Sequence, residues 1–262
     1  LFHDDIMDGA TSRRGAPVTH EVFADGHRRG NSSGESRRFG EGIAILVGDL
    51  AFVYADRLLD GASPEAREIW HELRIELNIG QLLDIMGSAT NDRRRDKAER
   101  ICRYKSGKYT IERPLHLGAM LAAPQRRAEL LPALSRYGLP LGDAFQMRDD
   151  VMGAFGDTAV TGKPVGDDFR EGKPTPLLAI AHERADAAQR AVLDRVGRAT
   201  LDDAEVARLQ QVVIECGALD EFERTIARLS DVAVGALREV SLSGEAVERL
   251  EELARYVSER QV

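Results

Sequence analysis

Apolar residues recur along this chain at intervals of three and four, the period of a helix with one buried face. Between residues 41 and 59, Ile43, Leu46, Val47, Leu50, Val53, Tyr54 and Leu58 mark one such face. Ser63-Pro64-Glu65 reads as a helix start, with Ser as the N-cap and Pro in the first turn. From there Ile69, Leu73, Leu77 and Gly80 carry a stripe on to Ile85. The same period predicts helices over 96–104, 106–121, 125–137 and 139–155, and again over 174–195, 203–216, 219–241 and 245–259. No stretch alternates polar and apolar residues between turn signals, so no sheet is predicted. Two segments break the pattern. Residues 24–40 are rich in Gly, Ser and Arg and read as a loop. Residues 156–173 combine Gly and Pro with Lys163, Asp167, Asp168 and Lys173, a charged loop of the kind that carries function. No linker divides the chain, and the expectation is one all-α domain over residues 1–262.

Composition narrows this further. The length of 262 residues is ample for a buried core. There are 44 acidic against 36 basic residues, a net charge of −8, which disfavours a nucleic-acid binder that works by blanket phosphate neutralisation. Aromatics make up only 5%, which suits a helical core of Leu, Ile and Ala. The two cysteines, Cys102 and Cys216, exclude a disulfide scaffold and point to a reducing compartment, the cytoplasm. The longest apolar run, Ile43 to Ala55, is broken by Asp49 and is too short to span a bilayer, so no transmembrane segment is expected. The chain opens Leu1-Phe2-His3-Asp4-Asp5, with neither Met nor a signal peptide and in what reads as the middle of an element. An upstream segment is expected.

The candidate chemistry is carried by acids. In Asp4-Asp5-Ile6-Met7-Asp8 a helix puts Asp8 on one face with Asp4 and Asp5, where like charges repel. A divalent cation would relieve that repulsion. Mg²⁺ in particular prefers oxygen ligands and binds through one or two carboxylates plus substrate phosphates. The plainer alternative is a solvated acidic face. A second pair, Asp149-Asp150, lies in a predicted helix beside apolar Leu139, Phe145 and Val151. Carboxylates there are costly to bury unless paired or metal-bound; the alternative is a surface pair assisted by Arg148. Arg13-Arg14-Gly15, Lys105-Ser106-Gly107-Lys108, Lys163 and Lys173 supply cations suited to the oxygens of a diphosphate. Arg93-Arg94-Arg95 and Arg37-Arg38 have no such acidic counterpart and read as solvated surface.

Taken in order, Asp4-Asp5-x-x-Asp8, Arg13-Arg14-Gly15-x-Pro17, Gly48-Asp49, Gly80-Gln81-x-x-Asp84, Lys105-Ser106, Phe145-Gln146-x-x-Asp149-Asp150, Gly162-Lys163 and Gly172-Lys173 resemble the trans-isoprenyl diphosphate synthases. This is the polyprenyl synthetase family, and the likeness spans nearly the whole chain. The run from Gly162 to Lys173 is similar to the actinobacterial geranylgeranyl and longer polyprenyl diphosphate synthases. The resemblance implies an isoprenoid synthase-type helical bundle around a deep central cavity, with the two acid motifs facing each other across its mouth. It implies a homodimer. It also implies Mg²⁺-dependent, head-to-tail condensation of an allylic diphosphate with isopentenyl diphosphate. Three Mg²⁺ ions are expected, two on Asp4 and Asp8 and the third on Asp149. Asp5 and Asp150 would act through water or through the ligating acids, and Asp84 would support the first cluster. By the same resemblance Arg13, Lys105, Lys163 and Lys173 hold the allylic diphosphate, and Arg14 contacts the isopentenyl diphosphate. The Lys105 carbonyl, the Ser106 hydroxyl and the Gln146 amide stabilise the allylic cation. The released diphosphate is the base, so His3, His20 and His116 are expected to be structural.

The departures have consequences. Gly153 stands where many members carry a third Asp, Ser106 where Thr is common, and Pro174 follows Lys173 where another residue is usual. The family's upstream helices, with a Gly-Lys-x-x-Arg segment and a His for isopentenyl diphosphate, do not occur in the sequence. The residues that form the cavity floor one turn before the first Asp pair would precede Leu1. That leaves Ile45, Phe52 and Val53 as the visible floor candidates. Geranylgeranyl diphosphate is the favoured product, with a longer polyprenyl chain next. Two other readings share parts of this pattern. A class I terpene synthase would carry an Asn/Ser/Glu-type second motif, and a non-catalytic partner subunit would lose one or both Asp motifs. A plain helical scaffold would not explain Lys and Arg placed in family order beside both Asp pairs.

Overall fold

The computed structural model describes residues 1–90, 94–156, 165–197 and 201–260, and these are overwhelmingly helical. The expectation of an all-α fold holds. The only strands among the described residues are a two-residue ladder, β1 (Ser12–Arg13) and β2 (Ala16–Pro17), paired antiparallel. No helix among them is long and apolar enough to cross a membrane. The described residues divide into two compact units, one built on residues 1–62, the other on the described residues from 63 onward.

In the first unit, α1 (Phe2–Met7) is followed by the hairpin, then α2 (Thr19–Arg29) and α3 (Ser36–Leu58). The His3 ring lies over Gly48 of α3, where an added Cβ would come within 2.5 Å of it. Its Nε2 sits 3.1 Å from the Ile45 carbonyl oxygen, so His3 clamps α1 to α3. The segment 24–40 is mostly helix, which corrects the loop expected there. Burial of His20, Ala24 and His27 under α3 extends α2 to Arg29, and the Glu35 side chain caps α3 by accepting from the Arg38 N–H. Only residues 30–35 connect the two. α3 leaves Leu46, Leu50, Val53, Tyr54 and Leu58 exposed along its length.

The second unit opens with α4 (Pro64–Thr90), whose start is capped as expected: the Ala66 N–H donates to the Ser63 hydroxyl at 3.1 Å. There follow α5 (Arg95–Cys102), a π-helix (Arg103–Glu112), α6 (Arg113–Ala122) and the long α7 (Arg127–Phe155). Then come α8 (Asp167–Glu171), α9 (Pro176–Arg184), α10 (Ala187–Leu193), α11 (Asp203–Glu215), α12 (Ala218–Ala236) and α13 (Gly244–Glu259). α7 is the axis. Its Tyr137, Leu141, Ala144 and Val151 are buried with Leu177 and Ile180 of α9 and with Phe222 and Ile226 of α12. The Tyr137 hydroxyl donates to the Leu250 carbonyl at 2.7 Å and ties α13 to the same core.

Two boundaries differ from expectation. Helices expected at 125–137 and 139–155 are one element, because Gly138 packs against Glu112, where a Cβ would stand 3.0 Å from the Glu112 Cα, and tertiary contact overrides the break. The helix expected over 174–195 is two, because Asp186 and Gln189 form a capping box that starts α10 afresh.

Candidate active site

The first acid motif is set by α1 and the hairpin. Asp4 and Asp5 lie in α1 and Asp8 is its C-cap. Asp5 is buried, Asp4 half-buried and Asp8 exposed. The hairpin turns on Arg14-Gly15, both with positive φ, 54° and 75°. A two-residue turn of this hand requires that geometry, which suits Gly15 and strains Arg14. The turn sends Arg13 back onto the acids: its Nε donates to Asp5 Oδ1 at 2.7 Å and its Nη2 reaches Asp4 Oδ2 at 3.3 Å. Burial works against the Arg13 charge, but the bond to Asp5 and the charges of Asp5, Asp4 and Asp8 outweigh it and raise its pKa. Arg14 itself is exposed. Of the floor candidates, Phe52 packs on the His3 ring, with centroids 5.6 Å apart, while Ile45 and Val53 are exposed.

The second motif lies on α7 in the other unit. Asp150 is fully inside: Gln146 Nε2 donates to its Oδ1 at 2.9 Å, and its Oδ2 is buried with no hydrogen-bond partner. Burial, helped by the charge of Asp168, pushes the Asp150 carboxyl well above the usual range. Asp149 receives a hydrogen bond from Arg260, and the Arg260 guanidinium lies 4.8 Å from the Phe145 ring centre. Between them in sequence, Arg148 is buried and bidentate to Glu223 of α12 at 2.7 Å. Its Nη2 also donates to the Ser258 carbonyl of α13 at 2.8 Å.

Lys105 and Ser106 sit in the first turn of the π-helix, and Ser106 is half-buried. Gly80 of α4 lets this backbone come close: a Cβ there would stand 2.5 Å from the Lys105 nitrogen. Lys105 Nζ then reaches Asp84 Oδ2 at 2.6 Å, so the structure places Asp84 on Lys105. One turn on, Glu76 accepts from both Lys108 and Arg113. The Ser135 hydroxyl lies between buried Glu112 and His116, at 2.6 and 3.1 Å. Lys173 pairs with Glu171 at 2.5 Å and lies 3.8 Å from Asp168. Lys163 falls outside the described residues.

Two contributors, Asp168 and Arg260, escaped the sequence reading. Asp168 comes from α8 and fills the space above Gly153, where a Cβ would stand 2.0 Å from its Oδ2. The position that many relatives give to a third Asp is therefore covered by a carboxylate from another element. Its signal was the Asp167-Asp168 pair in the charged loop, which had been given no role. Arg260 carried no local signal, because its partner is distant in sequence, and Arg148, weighed as the assistant of a surface acid pair, turns instead to Glu223 and the Ser258 carbonyl.

The donors fit Mg²⁺. They are carboxylate oxygens, and a buried one on Asp150 lacks a partner. Guanidinium groups from Arg13 and Arg260 already stand on the two motifs, so each calls for positive charge. Among the described residues no three His, Cys, Asp or Glu side chains gather tightly enough to enclose a metal.

With this geometry in place, the comparisons agree on one class. Residues 1–213 match the polyprenyl synthetase family model, and the chain belongs to that family. A geranylfarnesyl diphosphate synthase of Aeropyrum pernix is 32% identical over 99% of this chain and 78% of its own length. A geranylgeranyl diphosphate synthase of Mycobacterium tuberculosis is 30% identical over 94% of this chain and 67% of its own. Among solved structures, a geranylgeranyl pyrophosphate synthase from Corynebacterium glutamicum, complexed with isoprenyl diphosphate and magnesium, is 40% identical. It superposes with a TM-score of 0.92 over 100% of this chain and 75% of that one.

Proposed function

We propose that this chain is a Mg²⁺-dependent trans-prenyltransferase that joins an allylic diphosphate to isopentenyl diphosphate, head to tail, with geranylgeranyl diphosphate as product. The observation that carries the reading is the whole-chain likeness to a synthase whose structure holds isoprenyl diphosphate and magnesium. The allylic carbon–oxygen bond breaks, the isopentenyl double bond attacks the resulting cation, and a proton lost to the released diphosphate completes the step. Bound magnesium supplies charge neutralisation to the leaving diphosphate. Asp4, Asp8 and Asp149 would hold three ions, with Asp5 and Asp150 behind them. Arg13, Lys105, Lys163 and Lys173 would orient the allylic diphosphate and add fixed positive charge as negative charge builds on it. Arg14, strained and exposed on the hairpin tip, would meet the isopentenyl diphosphate. The Lys105 carbonyl, Ser106 and Gln146 would face the cation, and apolar walls would keep water from quenching it.

The chain is proposed to pair with a second copy through exposed apolar stripes, a feature that marks interaction surfaces. Support comes from Leu46, Leu50 and Tyr54 on α3 and, in the other unit, from Ile75, Ile79, Leu82 and Met86 on α4. The free thiols of Cys102 and Cys216 favour the cytoplasm. The test uses labelled isopentenyl diphosphate, Mg²⁺ and five-, ten- or fifteen-carbon primers, with the protein extended by whatever precedes Leu1. Twenty-carbon product is expected; no elongation from any primer would refute the reaction. Asp4→Ala and Asp149→Ala should each lower turnover by about a thousandfold or more with folding retained. Unchanged turnover would refute the metal assignment.

A further inference from the structure

Arg260 is the C-cap residue of α13, and its guanidinium reaches back over the second acid motif. It donates to Asp149 Oδ1 and lies against the Phe145 ring. The seat is crowded. Arg148, one residue from Asp149, is buried beside it and holds the Ser258 carbonyl, two residues before Arg260. The Nε atoms of both arginines are buried without hydrogen-bond partners. The two guanidinium groups carry like charges and repel each other. A half-satisfied guanidinium, repelled by a second one, thus occupies the carboxylate that metal-dependent chemistry requires.

We infer that Arg260 is a placeholder cation. It holds Asp149 in the metal-free protein and is displaced when a divalent cation takes that carboxylate, which frees the end of α13. The inference rests on the proposed role of Asp149 as a metal ligand. The physical reason is exclusion: two positive charges in one partly buried place repel strongly, so the carboxylate serves one or the other. Arg148 limits the release. Its bonds to Glu223 and the Ser258 carbonyl involve neither Asp149 nor Arg260, so the helix stays docked and only the residues beyond Ser258 come away.

The test titrates Mn²⁺, the metal alone, into the full chain, with free Mn²⁺ followed by electron paramagnetic resonance and backbone amide exchange read at residues 257–260. In the unaltered protein metal should speed exchange at those residues. Arg260→Gln should bind Mn²⁺ about tenfold tighter, the worth of one charge-assisted hydrogen bond removed as competitor. Its terminal amides should exchange fast with or without metal, and Arg260→Lys should lie between the two. Asp149→Asn should abolish the metal-dependent change. Suppose instead that Mn²⁺ binds in an Asp149-dependent way, while Arg260→Gln shows unchanged affinity and the α13 end does not respond. The placeholder is then wrong and the metal assignment stands. If Mn²⁺ fails to bind, or binds Asp149→Asn equally well, the metal assignment falls and takes the placeholder with it.

Discussion

Gly80→Ala tests how Lys105 is held. A Cβ at this position would stand 2.5 Å from the Lys105 nitrogen, 2.7 Å from its Cα and 2.7 Å from the Tyr104 carbonyl carbon. All three are backbone atoms, so no side chain can swing away. An ordinary carbon contact lies near ~3.5–4 Å, so the π-helix must retreat by about 1 Å. Such overpacking costs about 1–3 kcal/mol. Replacing a mid-helix glycine with alanine returns about 0.5–1 kcal/mol, leaving a net loss of up to about 2.5 kcal/mol. The same retreat stretches the 2.6 Å contact between Lys105 and Asp84. A misplacement of about 1 Å in a positioning group can lower turnover about a hundredfold. The assay is a urea midpoint alongside prenyl-transfer turnover. Gly118→Ala in α6 is the control, since nothing lies within 4 Å of its added methyl and it should stabilise by propensity alone. If Gly80→Ala matches that control in stability and keeps full turnover, the close approach does not position Lys105.

Two further outcomes concern buried titratable groups. The folded-state pKa of Asp150 is raised, so its contribution to stability is fully present below the unfolded value and is lost as pH rises through the folded one. Asp150→Asn removes the group whose ionisation burial disfavours, so it should flatten this pH dependence and raise the urea midpoint at neutral pH while lowering turnover. An unchanged or lower midpoint would contradict this. For His116 the sign is opposite in chemistry but similar in form. Burial lowers its folded pKa, so it supports folding above the unfolded value near 6.5 and that support fades as pH falls. Melting temperature should drop from pH 7.5 to 5.5 in the parent protein and less steeply in His116→Gln; equal slopes would refute the assignment.

Periodicity made the long helices legible as helices, but it named the buried face correctly only in part: α12 buries Phe222 and Ile226, whereas α3 buries Gly40, Ala44 and Gly48 and leaves Leu46, Leu50, Val53, Tyr54 and Leu58, expected inside, exposed. Ser63 announced the start of α4 through a side-chain cap that needs only local sequence. What stayed hidden depended on distant partners. Local composition argued for a loop across residues 24–40, yet α2 forms there because α3 buries His20, Ala24 and His27. The pattern divided at residue 138, yet α7 runs through it, since Gly138 meets Glu112 from a different helix. The acid motifs were visible as clusters. Their cations were only partly so: Arg13 follows the first motif by a few residues, whereas Arg260 lies 111 residues from Asp149. No window of sequence shows such a pairing.

Asp168 changes what the second acid cluster depends on. Had the third acid been a side chain of α7, its place would follow from helix geometry alone. Instead it is delivered by α8, whose next residue, Phe169, is buried in the core with Leu177 and Ile180. The position of a charge over the motif is thereby inherited from the fit of an aromatic ring in oil. Substitutions at Phe169, far removed in chemistry from any carboxylate, would then surface as altered metal affinity. The packing of Phe169 and the placement of the Asp168 charge over α7 are thereby coupled.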